Sequence, residues 1–269
     1  MNRRRRTRVS SEQDGRGGGK MIKVVPAEST VHLNVLVYGV TGAGKTHLAG
    51  TAGDCEAASP ALLLDFDAGT LTLRGRDIDI ARPRSWAEVQ EIYDALASGK
   101  SGYKCVILDT LTEMQRALSL MHIVEGSDGA YDLEATPVPT RQDWLKTGDQ
   151  MRKVIRAFRG LAYLDDPAER MHVLMLAHER SDERLNLVCP QLSGQLGVEA
   201  GAFVDVLGRL TTVWEETEDG ETRMRRHLLL SEHVSEDTGT RFLAKARGIP
   251  TKGIFDPTLE SLISLWGGA

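Results

Sequence analysis

The chain has few of the residues and segments that mark secreted, metal-stapled or membrane-spanning proteins. Only three cysteines occur among 269 residues, and Cys55, Cys105 and Cys189 lie too far apart in the sequence to form a metal knuckle. No apolar run approaches the roughly 18 residues that a membrane span requires, and the arginine-rich start lacks the apolar segment of a secretory signal. These absences predict a cytoplasmic protein with reduced thiols and no membrane partner.

Charge is spread unevenly along the chain, whose net charge is −5. Residues 1–23 contain six Arg and two Lys against two acidic residues, so this stretch carries +6 and the remainder −11. We therefore predict a flexible basic arm over residues 1–30 and one domain over residues 31–269. Three interpretations of the arm stay open: a nucleic-acid tether, a disordered tail, and a segment upstream of a true start at Met21.

Apolar runs alternate with helical patterns over the first two thirds of the chain. Four short runs rich in Val, Ile and Leu predict buried strands, at Leu33–Tyr38, Ala61–Phe66, Lys104–Leu108 and His172–Ala177. Helical patterns fall between them, at Val89–Leu96, Asp109–Val124 and Asp143–Leu161. This alternation predicts an α/β fold with a mostly parallel sheet flanked by helices.

The pattern changes after His178. Residues 179–197 read as a loop, and two strand-like segments then flank the turn signal Asp219-Gly220. The predicted later elements are strands at Phe203–Trp214, Arg223–Leu230 and Arg241–Ala246, and a final helix at Pro257–Trp266. These predict an antiparallel C-terminal extension of the sheet.

Residues 39–46 read Gly-Val-Thr-Gly-Ala-Gly-Lys-Thr, the phosphate-binding pattern G-x-x-x-x-G-K-[ST] between a strand and a helix. Glycines let the backbone wrap around phosphates, and amides at the start of a helix point at the anion. Lys45 can reach the β- and γ-phosphates, and the Thr46 hydroxyl can ligate Mg²⁺. We predict ATP and Mg²⁺ as ligands, although no base-specific motif separates ATP from GTP. The predicted nucleotide-binding residues are Gly39, Val40, Thr41, Gly42, Ala43, Gly44, Lys45, Thr46 and His47.

Carboxylates follow two of the predicted strands. Asp109 ends an apolar strand, where with Thr46 it would hold Mg²⁺; the alternative is that Asp109 caps the next helix. Asp65 and Asp67 stand two residues apart at the end of the second strand, and Asp67 lies further beyond it. We predict that Asp67 polarises the attacking water, the alternative being that both acids cap the turn at Gly69.

Basic residues lie at the ends of two later predicted strands. His178 ends the predicted fourth strand, where it would sense the γ-phosphate or serve as a hydrogen-bonded structural group. Lys245 and Arg247 alternate with apolar residues on the last predicted strand and so share one face. We predict that they contact a γ-phosphate bound in the same subunit or in a neighbouring subunit. The alternative is that they are solvated charges on an edge strand.

Taken together, these positions resemble the RecA-like P-loop ATPase core. The phosphate loop, Asp65-Phe66-Asp67, Asp109, His178 and the segment Lys245–Gly248 occur in the order of that core. The closest resemblance is to the phage-type RecA-like ATPases that assist single-strand annealing in recombination. It implies that Asp67 activates water, with Asp where RecA has Glu, and that His178 couples nucleotide state to DNA binding. Lys245 and Arg247 are similar to cations that reach a neighbour's nucleotide in replicative hexameric helicases.

The resemblance also implies partners. These are single-stranded DNA, further copies of the chain in a ring or filament, and a recombination partner protein. DNA would lie against residues 125–141 and 179–197, although neither segment is strongly basic and Tyr131 is their only aromatic residue. Two other functions stay open: a nucleotide-gated binding protein with little hydrolysis, and a small-molecule or nucleotide kinase. A kinase lid normally has several arginines, and residues 125–141 offer only Arg141.

Overall fold

The computed structural model describes residues 32–125, 138–216 and 219–266. The predicted arm over residues 1–30 lies outside the described residues, as do residues 126–137 of the predicted DNA-contacting loop, with Tyr131 among them. The described strands are β1 (Asn34–Gly39), β2 (Ala61–Asp65), β3 (Ile78–Ala81), β4 (Cys105–Asp109), β5 (His172–Asp182), β6 (Leu187–Pro190), β7 (Val206–Glu216), β8 (Thr222–Leu229), β9 (His233–Val234), β10 (Arg241–Phe242), β11 (Lys245–Ala246) and β12 (Gly253–Phe255).

Helices connect the strands and cover both faces of the sheet. The described α-helices are α1 (Lys45–Gly50), α2 (Trp86–Ala97), α3 (Leu111–Glu113), α4 (Met121–Glu125), α5 (Arg141–Gly160), α6 (Leu196–Phe203) and α7 (Leu259–Ser264). A π-helical segment, Met114–Leu120, joins α3 to α4, so the predicted helix over residues 109–124 is continuous but locally widened. α5 begins with a reciprocal capping box between Thr140 and Asp143.

The sheet has the strand order β12-β8-β7-β1-β5-β4-β2-β3. Neighbours from β7 to β3 pair in parallel, whereas β8, β11 and β12 add antiparallel pairs. This confirms the predicted α/β class with a mostly parallel sheet, flanking helices and an antiparallel C-terminal extension. Because β1 lies between β5 and β7, the phosphate loop that follows it emerges at the middle of the sheet's carboxyl edge.

The core forms two layers, one on each face of the sheet. β1 is buried throughout, and its alternate residues enter different layers: Leu36 and Tyr38 on one side, Val35 and Val37 on the other. The first layer includes the apolar stripe of α5, and the second includes α1 and α7. Burial on both faces explains why the central strands are continuous apolar runs in the sequence.

Two predicted segments differ from the structure. Residues 179–197 are not one loop: β5 continues to Asp182 and pairs antiparallel with β6, and α6 follows. The second half of β5 consists of polar residues, so a search of the sequence for apolar runs does not detect it. The predicted strand Arg241–Ala246 is two short strands, β10 pairing with β6 and β11 with β7. β3 and β12, each of three or four residues, were not predicted from the sequence.

Candidate functional site

Two glycines of the phosphate loop occupy positions that a side chain would obstruct. A Cβ at Gly39 would lie 2.3 Å from the Leu210 carbonyl oxygen in β7. Gly44 has φ 95°, in the left-handed region that glycine favours, and a Cβ there would lie 2.2 Å from Nε of Arg226. Gly39 is therefore required by the proximity of the β7 backbone, and Gly44 by its left-handed conformation, since the flexible Arg226 side chain can move aside.

Lys45 is the first residue of α1 and is buried. Its Nζ donates to the carbonyl oxygens of Gly39 at 3.0 Å and Val40 at 3.1 Å. Burial lowers the pKa of Lys45, while the Asp109 carboxylate opposes that shift. Two of the three ammonium donors are thus used within the loop, and one remains for an anion.

Thr46 and Asp109 contact each other directly below the loop. The Thr46 hydroxyl donates to Oδ2 of Asp109 at 2.6 Å, and Asp109 is only 2% exposed at the end of β4. The pKa of Asp109 is raised to about 6, mainly by burial and in smaller part by nearby Asp67, while the Thr46 hydrogen bond opposes the shift. Thr110, not Asp109, caps the following helix, because its side chain accepts from the Glu113 N–H. The alternative interpretation of Asp109 as a helix cap is therefore wrong.

These two residues fit a magnesium ion. Magnesium at nucleotide sites usually takes one or two protein oxygens and completes its shell with phosphate and water. The Thr46 hydroxyl and the Asp109 carboxylate are such oxygens, and a cation would offset the cost of ionising a buried carboxyl. Within the described ranges no cluster of three or more His, Cys, Asp or Glu side chains could hold a metal by itself.

Asp67 lies beside Thr110 and His178. Its Oδ1 accepts from the Thr110 backbone N–H at 3.2 Å and from the Thr110 hydroxyl at 2.9 Å, and His178 Nε2 lies 3.3 Å from its Oδ2. Burial would raise the pKa of Asp67, but hydrogen bonds from His178 and Thr110 outweigh burial and lower it. Asp67 is thus held ionised, as an acceptor for a water must be.

Asp65 has a different environment. It is buried, accepts from the Gly69 N–H at 3.3 Å and pairs with Arg82 at 3.1 Å. Asp65 therefore caps the turn at Gly69, as the alternative interpretation proposed for both acids. Asp67 instead contacts the residue that follows Asp109.

A cavity of about 350 Å³ adjoins the phosphate loop at Val40 and Thr41. His178 lines it, together with Glu113 and Arg116 from the helical segment after β4. These two helical residues were not predicted from the sequence, because nothing in their spacing marks them as chemically distinct from an ordinary surface pair. The structure thus places His178 between Asp67 and an open space next to the loop.

Lys245 and Arg247 lie away from their own phosphate loop. β11 pairs with Val206 and Leu207 at the start of β7, which stand beside the beginning of β1, whereas the loop follows the end of β1. Arg247 is 59% exposed and lies 3.3 Å from Asp205. Their predicted action on a γ-phosphate in the same subunit is therefore wrong, and only the version involving a neighbour's site stays a prediction.

His47 and Arg226 lie on the other side of the loop. Burial lowers the pKa of His47, and the cations Arg226 and Arg76 lower it further. Arg76 pairs with Asp54. Arg226 could not be recognised in the sequence, since it is one of three arginines in an ordinary strand.

A family model described as an AAA domain matches residues 32–242, well over half of the chain. The chain belongs to the AAA domain family. With the phosphate loop, this membership identifies an ATPase-type P-loop domain. No curated protein matches the chain.

Solved structures resemble the AAA domain only remotely. The RadB recombinase is 13% identical over 78% of this chain and 86% of its own, with a TM-score of 0.39. A prototypical ATPase of the type III secretion system of pathogenic bacteria is 15% identical over 67% of this chain and 52% of its own, also with a TM-score of 0.39. Likeness at this level carries no argument about activity or partners. Among the residues described, no helix is long and apolar enough to cross a membrane.

Proposed function

We propose that this AAA domain protein binds ATP with Mg²⁺ and hydrolyses it. The observation that carries the proposal is the 2.6 Å contact between the Thr46 hydroxyl and the buried Asp109 carboxylate, directly below a glycine-dependent phosphate loop. A threonine hydroxyl and a strand-terminal aspartate are the protein ligands that phosphoryl-transfer sites use for magnesium.

Each side chain has a defined task in this proposal. Lys45 contacts the phosphates, and Thr46 and Asp109 hold Mg²⁺, which neutralises charge on the phosphate oxygens when bound. Asp67, kept ionised by Thr110 and His178, accepts a hydrogen bond from the attacking water and orients it. His178 lines the cavity beside the loop and contacts Asp67, so a ligand that enters the cavity changes the position or charge of the histidine beside Asp67.

We further propose that hydrolysis serves single-stranded DNA recombination or annealing, with the chain acting as a homo-oligomer alongside a recombination partner protein. Support comes from the resemblance of the motif order to phage-type annealing ATPases, and from the exposed Arg184 in the turn between β5 and β6. Arg180 in the same hairpin donates to the Gly194 carbonyl oxygen at 2.8 Å, which leaves Arg184 as the better DNA contact of the two.

ATP hydrolysis with and without single-stranded DNA tests both parts. Lys45→Ala should abolish turnover, whereas Lys100→Ala, which removes an exposed lysine far from the loop, should not. DNA-stimulated turnover that Lys45→Ala abolishes supports the full proposal. Turnover without a DNA response keeps the ATPase and removes the recombination role.

Two other functions remain as outcomes of this test. Nucleotide binding without turnover indicates a nucleotide-gated binding protein, for which the Asp at position 67 is the sequence argument. Phosphate transfer to a small molecule indicates a kinase, whose acceptor would occupy the cavity beside Val40 and Thr41. A screen of acceptors with radiolabelled ATP distinguishes transfer from hydrolysis.

A further inference from the structure

Arg226 projects onto the phosphate loop from the antiparallel part of the sheet. It lies on β8 opposite Thr212 of β7, on the face that also carries the paired residues Leu210 and Leu228. Those two leucines belong to the core layer that contains α1, so this face of the hairpin continues past the core to the loop. There the Arg226 side chain covers Gly44, as the 2.2 Å separation of its Nε from a Cβ built on Gly44 shows.

Two buried nitrogen atoms on this side of the loop have no hydrogen-bond partner within the described residues. They are Nε of Arg226 and Nδ1 of His47. Buried polar atoms are nearly always paired in folded proteins, and an unpaired one costs free energy. Neighbouring acids are engaged elsewhere: Asp256 accepts from the Arg226 backbone N–H and pairs with the Arg225 side chain, and Asp54 pairs with Arg76.

The strand order fixes which end of a nucleotide these atoms would face. Asp109 is on β4 and His178 on β5, which lie on one side of β1, whereas β8 lies on the other side beyond β7. The metal ligands and Asp67 mark the γ-phosphate end of the site. Arg226 therefore approaches the loop from the end remote from the γ-phosphate, where the loop amides contact the α- and β-phosphates.

We propose that Arg226, together with His47, binds the α-phosphate of the nucleotide within its own subunit. This inference rests on the proposed nucleotide binding and adds to it a cation that phosphate-loop motifs do not specify. A guanidinium offers several donors in a fixed plane and is well suited to phosphate oxygens. Because the α-phosphate is present in both ATP and ADP, Arg226 stabilises both complexes equally, unlike a residue that contacts the γ-phosphate.

Calorimetric titration of ATP and of ADP into wild-type protein and three variants tests the inference. Arg226→Ala should weaken the affinity for both nucleotides about tenfold or more, by the same factor. Arg226→Lys should recover part of that loss, since it restores charge without the planar fork. Arg223→Ala is the matched control, because it removes an exposed arginine of the same strand from the opposite face, and it should bind both nucleotides normally.

The outcomes separate this inference from the proposed function. Wild-type protein that binds neither nucleotide refutes the proposed function itself. Wild-type binding that Arg226→Ala leaves unchanged refutes only the role of Arg226, and so does a loss confined to ATP, which would place Arg226 at the γ-phosphate. Thermal unfolding of each variant shows whether it is folded. If Arg226→Ala is not, the nucleotide affinity of Arg226→Lys is compared with that of wild type, and an unchanged affinity refutes the role of Arg226.

Discussion

His178 Nε2 on β5 lies 3.3 Å from Oδ2 of Asp67, which follows β2 on the other side of β4. The parallel register of β1 and β5 sets His178 beside Gly39, the first residue of the phosphate loop. The backbone N–H of His178 donates to the Thr112 hydroxyl at 3.0 Å, which fixes its position relative to the helix after β4. One histidine thus connects the first loop residue, the carboxylate after β2 and the segment after β4.

Replacing Asp67 tests its role in activating water. We expect Asp67→Asn to lower ATP turnover by on the order of 100-fold or more, because the amide is a weak acceptor and cannot take a proton. ATP affinity should change by less than about threefold, since Asp67 contacts Thr110 and His178 rather than the phosphate loop. Steady-state hydrolysis and equilibrium nucleotide binding measure the two effects.

Two further variants accompany the Asp67 substitution. Asp67→Glu retains a carboxylate and should keep measurable turnover, while Asp94→Asn, on the exposed surface of α2, should behave as wild type. Wild-type turnover in Asp67→Asn would exclude Asp67 as the water-activating group and direct attention to Glu113 or Glu179 in the adjacent cavity.

The raised pKa of Asp109 predicts a pH-dependent stability in the absence of nucleotide and Mg²⁺. Folding raises this pKa from 3.8 to about 6, so the folded state binds the proton more tightly. The associated stabilisation is complete below about pH 4 and is lost as the pH rises through 6, a difference of about 3 kcal/mol. Urea unfolding of the metal-free protein between pH 5 and 7.5 measures the part of this decrease in stability that falls within that pH range.

Asp109→Asn is the variant that checks this assignment. It removes the buried charge, so it should stabilise the metal-free protein at pH 7.5 and flatten the dependence between pH 5 and 7.5, while eliminating Mg²⁺-dependent turnover. Gains in stability at the expense of activity are common at functional sites. A variant that is less stable than wild type at pH 7.5 would contradict the expected cost of this carboxylate.

The Tyr38 hydroxyl anchors the C-terminal segment to the central strand. It donates to the Leu243 carbonyl oxygen at 2.6 Å and lies 3.2 Å from that of Val188, and burial strongly raises the pKa of this hydroxyl. Tyr38→Phe should lower the free energy of unfolding by about 1–2 kcal/mol, because it removes the hydrogen bond to the partly buried Leu243 carbonyl oxygen, whereas the Val188 oxygen still accepts from the Leu243 backbone N–H. Chemical denaturation measures this, with the exposed Tyr163→Phe as the control, which should have no effect.

Local sequence signals were sufficient to predict the central strands of the sheet and the phosphate loop. The phosphate loop, the four central strands and Asp109 are each marked by a few adjacent residues, and a parallel sheet must place strand ends together at one edge. This is why Thr46 and Asp109 could be paired in the sequence although 63 residues separate them. Burial on both faces makes such strands easy to recognise.

Contacts that depend on tertiary packing could not be predicted in this way. The position of Arg226 over Gly44 follows from how far β7 and β8 extend beyond the core, which no short window of sequence encodes. Lys245 lies on a strand as predicted, but β11 ends at Ala246 and Arg247 follows it in a turn, so the predicted strand face is not shared by both. Their distance from the phosphate loop depends on the antiparallel register of β11 with the start of β7.

That register makes Arg247 a candidate only for a site in another subunit. It is exposed, and the single carboxylate with which it pairs in the described chain, Asp205, is at 3.3 Å. Arg247→Ala should therefore retain ATP binding, because its own phosphate loop is intact, but lose turnover by roughly 1,000-fold or more, as removal of an arginine finger does. Arg241→Ala, which removes an exposed arginine paired with Glu232, is the control and should hydrolyse ATP normally.

Mixing inactive variants decides whether Arg247 acts on a neighbour. Lys45→Ala subunits supply Arg247 but no competent phosphate loop, and Arg247→Ala subunits supply the loop but not the arginine. In a randomly mixed oligomer at equal amounts, roughly a quarter of the interfaces combine the intact halves, so turnover should return to about a quarter of the wild-type rate. Turnover that stays at the level of the separate variants, in an oligomer shown to have mixed, would mean that Arg247 does not complete a neighbour's site and is a solvated surface charge.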